Sequence, residues 1–365
     1  MNSKLVGVVF TATLFFVLAG GAARAGMYDV TLLGSLGGNS YATGINDSGQ
    51  VVGYSRNAGN ISTSAVVWNG TTPTALGSLG GSTGVATGIN NSGQVVGYSG
   101  PSAVVWNGTT PTVLGSLGGT YSIAYGINNS GQVVGYSGYA GGQQVATIWN
   151  GTTPTALGSL GGSVSVAGGI NNSGQVVGYS YSAGNTSSSA VVWNGTTPTA
   201  LGSLGGSVGV AAGINNSGQV VGVSTNAGGQ QLAVVWNGTT PTALGSLGGP
   251  YSAADGINNS GQVVGYSYNA GGQVATIWNG TTAVDINSLL TSDPSGILLL
   301  SLTGINSIGQ IVGYGIDSSG HYDAVLLSQV SATPLPAALP LFATGLGALG
   351  LLRWSRKRKA AAIAA

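Results

Sequence analysis

The sequence predicts an all-β protein, a seven-bladed β-propeller whose four-stranded repeats are about 43 residues long. Three observations lead to this prediction: a tripeptide that recurs at a regular interval, four strand-like segments in each repeat, and a last repeat whose missing strand is found near the start of the chain. The tripeptide is Gly-Ile-Asn, and its seven copies begin at Gly44, Gly88, Gly126, Gly169, Gly213, Gly256 and Gly304. The intervals run from 38 to 48 residues, a range typical of propeller and solenoid repeats.

The repeat that begins at Gly169 shows the elements in order. Its Gly-Ile-Asn ends a first strand, and Asn-Asn-Ser-Gly makes a tight turn because Asn and Gly tolerate a left-handed backbone. A second strand covers 175–180 and a third covers 190–193. Asn-Gly at 194–195 is a strong hairpin signal before a fourth strand that begins at Pro198. The second and third strands are apolar at consecutive positions, which predicts sheets covered on both faces.

The strand count predicts how the ring closes. The third strand of the last repeat is 324–327, and no fourth strand follows it. An equivalent segment, 28–36, stands near the start and ends in the same Gly-Ser-Leu-Gly-Gly as the other copies. We therefore expect 28–36 to pair beside 324–327, which would join the ends of the ring and protect its edge strands. The sequence leaves open which strand lines the central channel.

These residues resemble a known family of bacterial proteins. The pattern Gly-Ile-Asn, Gly-Gln-Val-Val-Gly, Trp and Leu-Gly-Ser-Leu-Gly-Gly is similar to the HAF family of extracellular repeats, and it covers nearly all of 28–329. The resemblance implies a propeller-like fold and an extracellular location. It implies no molecular function, because none is defined for that family.

Residues 1–25 are expected to be a signal peptide. Lys4 precedes an apolar run, 5–17, and the segment closes with Ala23-Arg24-Ala25. A basic start, an apolar core and a small-residue site are the features that signal peptidase recognises, here at Ala23 and Ala25. A membrane anchor is the alternative, but the apolar run is short for a span.

Residues 331–365 carry a second targeting pattern. Thr333 precedes the short motif Pro334, Leu335, Pro336 and Ala337. The apolar run that follows, 338–352, predicts a transmembrane helix. A basic tail comes after it, and this composition favours a cytoplasmic location for the C-terminal end of the chain. The basic tail consists of Arg353, Arg356, Lys357, Arg358 and Lys359.

This three-part order resembles the PEP-CTERM sorting signal of Gram-negative bacteria. The match is to its Val-Pro-Leu-Pro-Ala variant, with Thr333 in place of Val. The resemblance implies cleavage by an exosortase, a membrane peptidase, in a host that makes an exopolysaccharide. It also implies that the helix is only a transient anchor.

The repeat body, 26–330, is acidic and has few residues of the types that catalyse reactions. It holds one basic residue, Arg56, against seven Asp and no Glu, for a net charge of −6. Such a body offers no basic patch to nucleic acid. The absence of Cys excludes disulfides and thiol chemistry. The apolar residues, 42% of the chain, fall in regular clusters, which favours a folded body over disorder.

Few side chains qualify as catalytic or metal-binding candidates. The Asn-Asn-Ser-Gly turns resemble calcium loops only weakly, since Asp47 supplies the one carboxylate among them. Asp317, His321 and Asp323 lie near one another in the last repeat, as solvated loop residues commonly do. The sequence therefore predicts no catalytic residue, no metal site and no cofactor. An Asp pair of the glycosidase kind stays open as an alternative.

Two repeated motifs carry open alternatives. Asn-Gly-Thr, found six times from Asn69 to Asn279, is either a hairpin turn or a glycosylation sequon. A tryptophan precedes each copy and is expected to fill the core between blades; stacking on sugar rings is the alternative. These residues are Trp68, Trp106, Trp149, Trp193, Trp236 and Trp278. A tyrosine recurs in the second strand of six repeats, and Val223 takes its place in the fifth.

The sequence thus favours an exported, non-catalytic surface or matrix protein associated with exopolysaccharide. Its partners would be signal peptidase and exosortase during processing, with membrane contact only through the C-terminal helix. A lectin-like carbohydrate binder is the first alternative, and an Asp-dependent glycan-active enzyme is the second.

Overall fold

A computed structural model describes residues 27–291 and 296–330. The predicted signal peptide with Ala23 and Ala25 lies outside the described residues, and so do the whole sorting signal, its apolar run and its basic tail. The described part contains 28 strands and two short 3₁₀ helices, Ala183–Asn185 and Ile286–Leu289. None of the helices in 27–291 and 296–330 is long and apolar enough to cross a membrane.

The strands form antiparallel units of four that follow the chain. Before them stands a single N-terminal strand, β1 (Tyr28–Leu32). Unit 1 comprises β2 (Gly37–Ile45), β3 (Val51–Asn57), β4 (Thr63–Asn69) and β5 (Thr72–Ala75). Unit 2 comprises β6 (Gly84–Ile89), β7 (Val95–Ser99), β8 (Ser102–Asn107) and β9 (Thr110–Val113). Unit 3 comprises β10 (Gly118–Ile127), β11 (Val133–Tyr139), β12 (Gln144–Asn150) and β13 (Thr153–Ala156).

The later units repeat this order. Unit 4 comprises β14 (Gly161–Ile170), β15 (Val176–Ser182), β16 (Ser188–Asn194) and β17 (Thr197–Ala200). Unit 5 comprises β18 (Gly205–Ile214), β19 (Val220–Asn226), β20 (Gln231–Asn237) and β21 (Thr240–Ala243). Unit 6 comprises β22 (Ser252–Ile257), β23 (Val263–Asn269), β24 (Gly272–Asn279) and β25 (Thr282–Asp285). The closing unit comprises β26 (Leu298–Ile305), β27 (Ile311–Ile316), β28 (Tyr322–Gln329) and β1.

The N-terminal strand completes the closing unit, as the strand count predicts. β1 pairs antiparallel with β28, and Val30 stands opposite Leu327. The ladder continues past β1, where the N–H of Leu33 donates to the carbonyl of Ala324 over 2.8 Å. The predicted pairing of 28–36 with 324–327 is therefore confirmed, and both edge strands of the closing unit derive from opposite ends of the body.

A glycine in each second strand is required by the bend of the first strand. In unit 4 the register of β14 against β15 shifts between Ala167 and Gly169, which marks a bulge. A Cβ on Gly178 would lie 2.0 Å from the carbonyl oxygen of Val166. In unit 5 the first strand, β18, includes the Gly-Gly that precedes Ser207.

The hydrophobic cores lie between neighbouring units. Val176 packs with Trp193 and with residues of unit 3, whereas the next residue, Val177, packs in the cluster that contains Trp236 of unit 5. Consecutive apolar residues thus face opposite neighbours, which confirms the prediction that both faces of each sheet are covered.

Candidate functional site

The first strand of each unit lines an axial cavity. These inner strands approach one another at the Gly of Gly-Ile-Asn. A Cβ on Gly304 would stand 3.5 Å from the Cα of Gly44, so this contact passes from the closing unit back to unit 1. The following isoleucines and the glycines line a cavity of about 210 Å³, which also reaches Thr43 and Thr303. The inner strand, left open by the sequence, is therefore the strand that carries Gly-Ile-Asn.

A closed circle of buried asparagines ties these strands together. Each side-chain Nδ2 donates to the backbone carbonyl of the equivalent asparagine in the next unit, over 3.1–3.2 Å. The last of these bonds runs from Asn306 to Asn46. The Oδ1 of Asn46 accepts from the N–H groups of Ser48 and Gln50 in its own turn. These side chains are structural, because both ends of each amide bond to protein. The circle consists of Asn46, Asn90, Asn128, Asn171, Asn215, Asn258 and Asn306.

The residue after each buried asparagine is exposed at one end of the cavity, which we call the asparagine face. Its members are Asp47, Asn91, Asn129, Asn172, Asn216, Asn259 and Ser307. Most of them accept a hydrogen bond from the N–H of the preceding unit, as Asn172 does from Asn129. Asp47 accepts from the N–H of Ser307 and from Asn91 Nδ2. Burial raises the pKa of Asp47, but hydrogen bonds from Ser307 and Asn91 outweigh this effect and leave the pKa below its usual value.

Tyrosines gather at the opposite end, which we call the tyrosine face. The register explains this, because Ile170 and Val176 pair near the asparagine face and Tyr179 pairs with Val166 further along the same ladder. Thirteen of the fifteen tyrosines belong to this part of the sheets, whereas Tyr125 directly precedes Gly126. They are Tyr41, Tyr54, Tyr98, Tyr121, Tyr136, Tyr139, Tyr179, Tyr181, Tyr251, Tyr266, Tyr268, Tyr314 and Tyr322.

Many of these rings contact one another. Tyr41 stacks on Tyr54 with ring centroids 4.8 Å apart, and it stacks on Tyr322 of the closing unit at 5.6 Å. Burial, followed by the charge of neighbouring tyrosines, raises the pKa of Tyr54 and of Tyr125 to about 12. These two phenols therefore remain neutral at physiological pH. They offer both aromatic faces and hydroxyl groups that can donate or accept.

One carboxyl group lies among the inner strands. Asp255 is the residue before Gly-Ile in unit 6, where other units carry Thr, Tyr, Gly or Ala. Thr43 occupies this position in unit 1 and donates to the carbonyls of Val52 and Ala86 over 3.1 and 2.8 Å. Among the described residues, the Asp255 side chain has no hydrogen-bond partner, and it is partly exposed. Burial raises the pKa of Asp255 to about 7.

Sequence reasoning missed Asp255 as a site residue. Comparison of the seven repeats could have identified it, since Asp255 is the one acidic residue at this position. Its importance depends on which strand is innermost, because an Asp on an outer strand would be a solvated surface group.

No protein-family model and no curated protein matches this sequence. Solved structures do match. The WD40 β-propeller domain of Doa1 is similar over 83% of this chain and 98% of its own length, with 15% identity and a TM-score of 0.50. The chain folds as a β-propeller.

Two further propeller-like matches have lower TM-scores. TolB from Acinetobacter baumannii is similar over 77% of this chain, with 11% identity and a TM-score of 0.45, and this chain covers 64% of TolB, less than two thirds of its length. The Aleuria aurantia lectin in complex with Fucalpha1-6GlcNAc is similar over 82% of this chain and 97% of its own, with 15% identity and a TM-score of 0.38. At these identities the likeness concerns the fold alone.

The six repeated tryptophans lie in the interior of the propeller. Five are fully buried, and Trp278 is 3% exposed. Each indole N–H donates to a glycine carbonyl of the preceding unit or linker, as Trp193 does to Gly158 over 2.7 Å. A buried ring cannot stack on a sugar, so the interpretation of these residues as a sugar platform is wrong and the core interpretation holds. They are Trp68, Trp106, Trp149, Trp193, Trp236 and Trp278.

Asp317 and His321 belong to the hairpin turn between β27 and β28, whereas Asp323 lies within β28, opposite Gly315. The carboxylate of Asp317 accepts from the N–H groups of His321 and Ser319 over 2.9 and 2.8 Å. The hydrogen bond from His321, together with that from Ser319, holds the pKa of Asp317 below its usual value. The His321 ring is 69% exposed and 4.0 Å from Asp317. Within 27–291 and 296–330, no three His, Cys, Asp or Glu side chains are grouped to hold a metal ion.

Proposed function

We propose that this protein is an exported, non-catalytic β-propeller that binds a glycan on its tyrosine face. One observation carries the proposal: thirteen of the fifteen tyrosines lie along the strands and turns away from the Gly-Ile-Asn ends of the first strands. Tyrosine combines an apolar ring with a hydroxyl group, so a cluster of tyrosines suits ligands that are apolar on one side and hydroxylated on the other. Sugar rings have this character, and a neutral phenol surface needs no charge on the ligand.

The exposure of the rings supports this proposal. Tyr121, Tyr139 and Tyr251 are 38%, 41% and 51% exposed. Tyr251 is also in edge-to-face contact with Tyr268, at a centroid distance of 5.8 Å, which restrains its ring. Restrained aromatic side chains lose little entropy when a ligand binds.

The proposed molecule has seven blades in a closed ring. This is supported by the circle of seven asparagine hydrogen bonds that returns from Asn306 to Asn46. The pairing of β1 with β28 supports it as well, because it supplies the last sheet with its fourth strand. Closure would hold the tyrosine face in one shape, as preorganised binding requires.

The proposed location is the cell surface or extracellular matrix, with exosortase processing and association with exopolysaccharide. This rests on the sequence patterns at 1–25 and 331–365. We favour binding over catalysis, because Asp255 lies among the inner strands, Asp47 at the opposite face and Asp317 in a hairpin turn. These three carboxyl groups lie in different parts of the fold, so together they do not form the pair that glycoside hydrolysis uses.

A glycan array and affinity electrophoresis in bacterial exopolysaccharides test the proposal. The variants Tyr121→Val and Tyr251→Val should weaken binding at least tenfold, the loss expected when aromatic stacking worth about 1.4 kcal/mol is removed. Val208 already stands at the equivalent place in unit 5, so the fold should tolerate both changes.

A matched control lies on the asparagine face. Asn172→Ser copies Ser307, which occupies the equivalent place in the closing unit, and it should leave glycan binding unchanged. If glycan binding survives both tyrosine substitutions but is lost in Asn172→Ser, the ligand binds on the asparagine face and the proposal is refuted.

A further inference from the structure

We infer that a pocket between units 1 and 2 binds the hydroxymethyl group of a neutral hexose, whose oxygen accepts a hydrogen bond from the backbone of Ala65. This inference rests on the proposed glycan function and names the class of sugar: a hexopyranose with a free primary hydroxyl group. The pocket lies on the tyrosine face, since Ala65 in its wall stands opposite Tyr54 in the ladder of unit 1.

A serine in the first strand joins neighbouring units at four junctions. Its hydroxyl accepts the backbone N–H of a buried alanine in the third strand of the adjacent unit, over 2.9–3.0 Å. Each serine thus supplies a buried donor with the acceptor that it needs. The bonded pairs are Ala103 with Ser122, Ala146 with Ser165, Ala233 with Ser252 and Ala324 with Ser40.

Gly84 takes the place of this serine between units 1 and 2. The carbonyl of Ala65 accepts from the N–H of Leu76 over 2.8 Å, and both polar groups of a residue point to the same side of an antiparallel strand. The N–H of Ala65 therefore points toward Gly84, where an added Cβ would lie 3.3 Å from its nitrogen. In the part of the chain that the structure describes, this N–H has no other acceptor. Ala65 is 2% exposed, and a buried donor without a partner is costly.

A cavity of about 120 Å³ lies at this junction. The hairpin above it is short, since only Gly100 and Pro101 join β7 to β8. In unit 4 the longer hairpin approaches the linker closely, and a Cβ on Gly162 would be 2.6 Å from the carbonyl oxygen of Tyr181. A Cβ on the equivalent Gly81 would meet no atom within 4 Å. The cavity is larger than one water requires, which is about 10–15 Å³.

The lining of the cavity suits a neutral sugar. Ala65 and Gly84 both belong to it, so the unpaired N–H is accessible from the cavity. Ser62, Ser64 and Ser82 add hydroxyl groups, which can donate to or accept from the hydroxyls of a sugar ring. None of the residues that line it carries a charge, so an acidic or amino sugar would lose its hydration there without gaining a counter-ion.

The missing serine side chain identifies the part of the sugar that enters. A serine side chain is a CH₂OH group, and so is the hydroxymethyl group on C5 of a hexopyranose. In the pocket this group would stand where the side chains of Ser122 and Ser165 stand at other junctions, with its oxygen accepting the N–H of Ala65. A 6-deoxy sugar or a pentose would leave the buried N–H unpaired, and sites built around a hydroxyl reject such analogues strongly.

NMR titration of the full-length protein, purified in detergent, provides the test. The probes are the methyl glycosides of glucose, galactose and mannose, each compared with its 6-deoxy analogue. At least one of the three hexosides should bind, and at least tenfold more tightly than its analogue, because only the hexoside satisfies the Ala65 N–H. This comparison uses the unaltered protein, so it holds even if a variant fails to fold.

Gly84→Ser fills the pocket with the side chain that other junctions carry. It should weaken binding of the hexoside at least tenfold without lowering the thermal unfolding midpoint, because the new hydroxyl accepts the N–H of Ala65 as Ser122 accepts that of Ala103. Asn172→Ser, on the asparagine face, is the control and should leave hexoside binding unchanged.

The outcomes separate this inference from the glycan function. Equal binding of a hexoside and its 6-deoxy analogue, or hexoside binding that is unchanged in folded Gly84→Ser, would overturn the inference. If no hexoside binds, but the array shows a glycan that is lost in Tyr121→Val and Tyr251→Val, the inference alone is overturned. Failure of every hexoside and every glycan on the array would overturn the proposed function as well.

Discussion

Asp255→Thr should stabilise the propeller at alkaline pH and not at acidic pH. The side chain is the one carboxylate among the inner strands, and burial raises its pKa from 3.8 to about 7. Each pKa unit corresponds to about 1.4 kcal/mol, so the ionised group costs the folded state on the order of 4 kcal/mol at pH 8. The substitution removes this cost and installs the hydroxyl that Thr43 and Thr303 use to bond the next inner strand.

The direction in which this stabilisation changes with pH follows from proton linkage. The folded state holds the Asp255 proton more tightly than the unfolded chain does, so the unaltered protein is most stable, as far as this group is concerned, below pH 4. That stability is lost progressively as the pH rises to 7 and remains lost above it. The benefit of Asp255→Thr should therefore grow between pH 4 and pH 7 and then level off. Asp255→Asn, which removes the charge but keeps the shape, should show the same pH dependence.

Asp47→Asn is a matched control with the opposite sign. Burial raises the pKa of Asp47, but hydrogen bonds from Ser307 and Asn91 leave it below its usual value. Its charge thus stabilises the fold at neutral pH, and this contribution is lost as the pH falls through the lowered pKa. Asn occupies the equivalent place in five other repeats, and Asp47 is exposed, so the loss should stay below about 1 kcal/mol.

Urea unfolding at pH 4, 6 and 8, followed by fluorescence of the buried tryptophans, measures these effects. The difference in unfolding free energy between Asp255→Thr and the unaltered protein should increase with pH. If the difference is the same at all three pH values, the charge of Asp255 is not its cause. If Asp255→Thr is less stable at pH 8, the energetic cost assigned to the ionised Asp255 carboxylate is wrong.

Three further predictions concern the core, the bulge and the targeting segment. Trp193→Ala should cost about 3–5 kcal/mol in urea unfolding, because it empties a fully buried site and leaves the carbonyl of Gly158 without its donor; a change below about 1 kcal/mol would place the ring at the surface. Gly178→Ala should prevent folding or cost several kcal/mol, since its Cβ would overlap the carbonyl of Val166, and an unchanged circular dichroism melting curve would rule out the bulge. Deleting 334–365 should leave a folded body that is secreted without retention at the envelope, and the mature protein from the native host should have a mass that lacks this segment; a product that keeps the basic tail would identify a permanent anchor.

The repeat period, the four strands in each repeat and the completion of the last sheet by 28–36 were all determined by the sequence alone. They follow from local patterns, such as the Asn-Gly turn after Trp193 and the consecutive apolar pair Val176 and Val177. Turn chemistry acts over a few residues, and alternating contact with two neighbours is visible in the order of apolar residues. The tryptophans were also correctly expected in the core, because large aromatic residues beside a buried strand have few other places to pack.

Only the tertiary structure decided which strand lines the axis, and the candidate site depends on that choice. Asp255 does not stand out in the sequence. The energetic cost of its charge appears only once β22 is known to be an inner strand. The tyrosines of different repeats, separated by about 40 residues along the chain, meet because the ladders share one register and the ring closes from Asn306 to Asn46. Register and closure are collective properties of all the sheets, so no local stretch of sequence contains them.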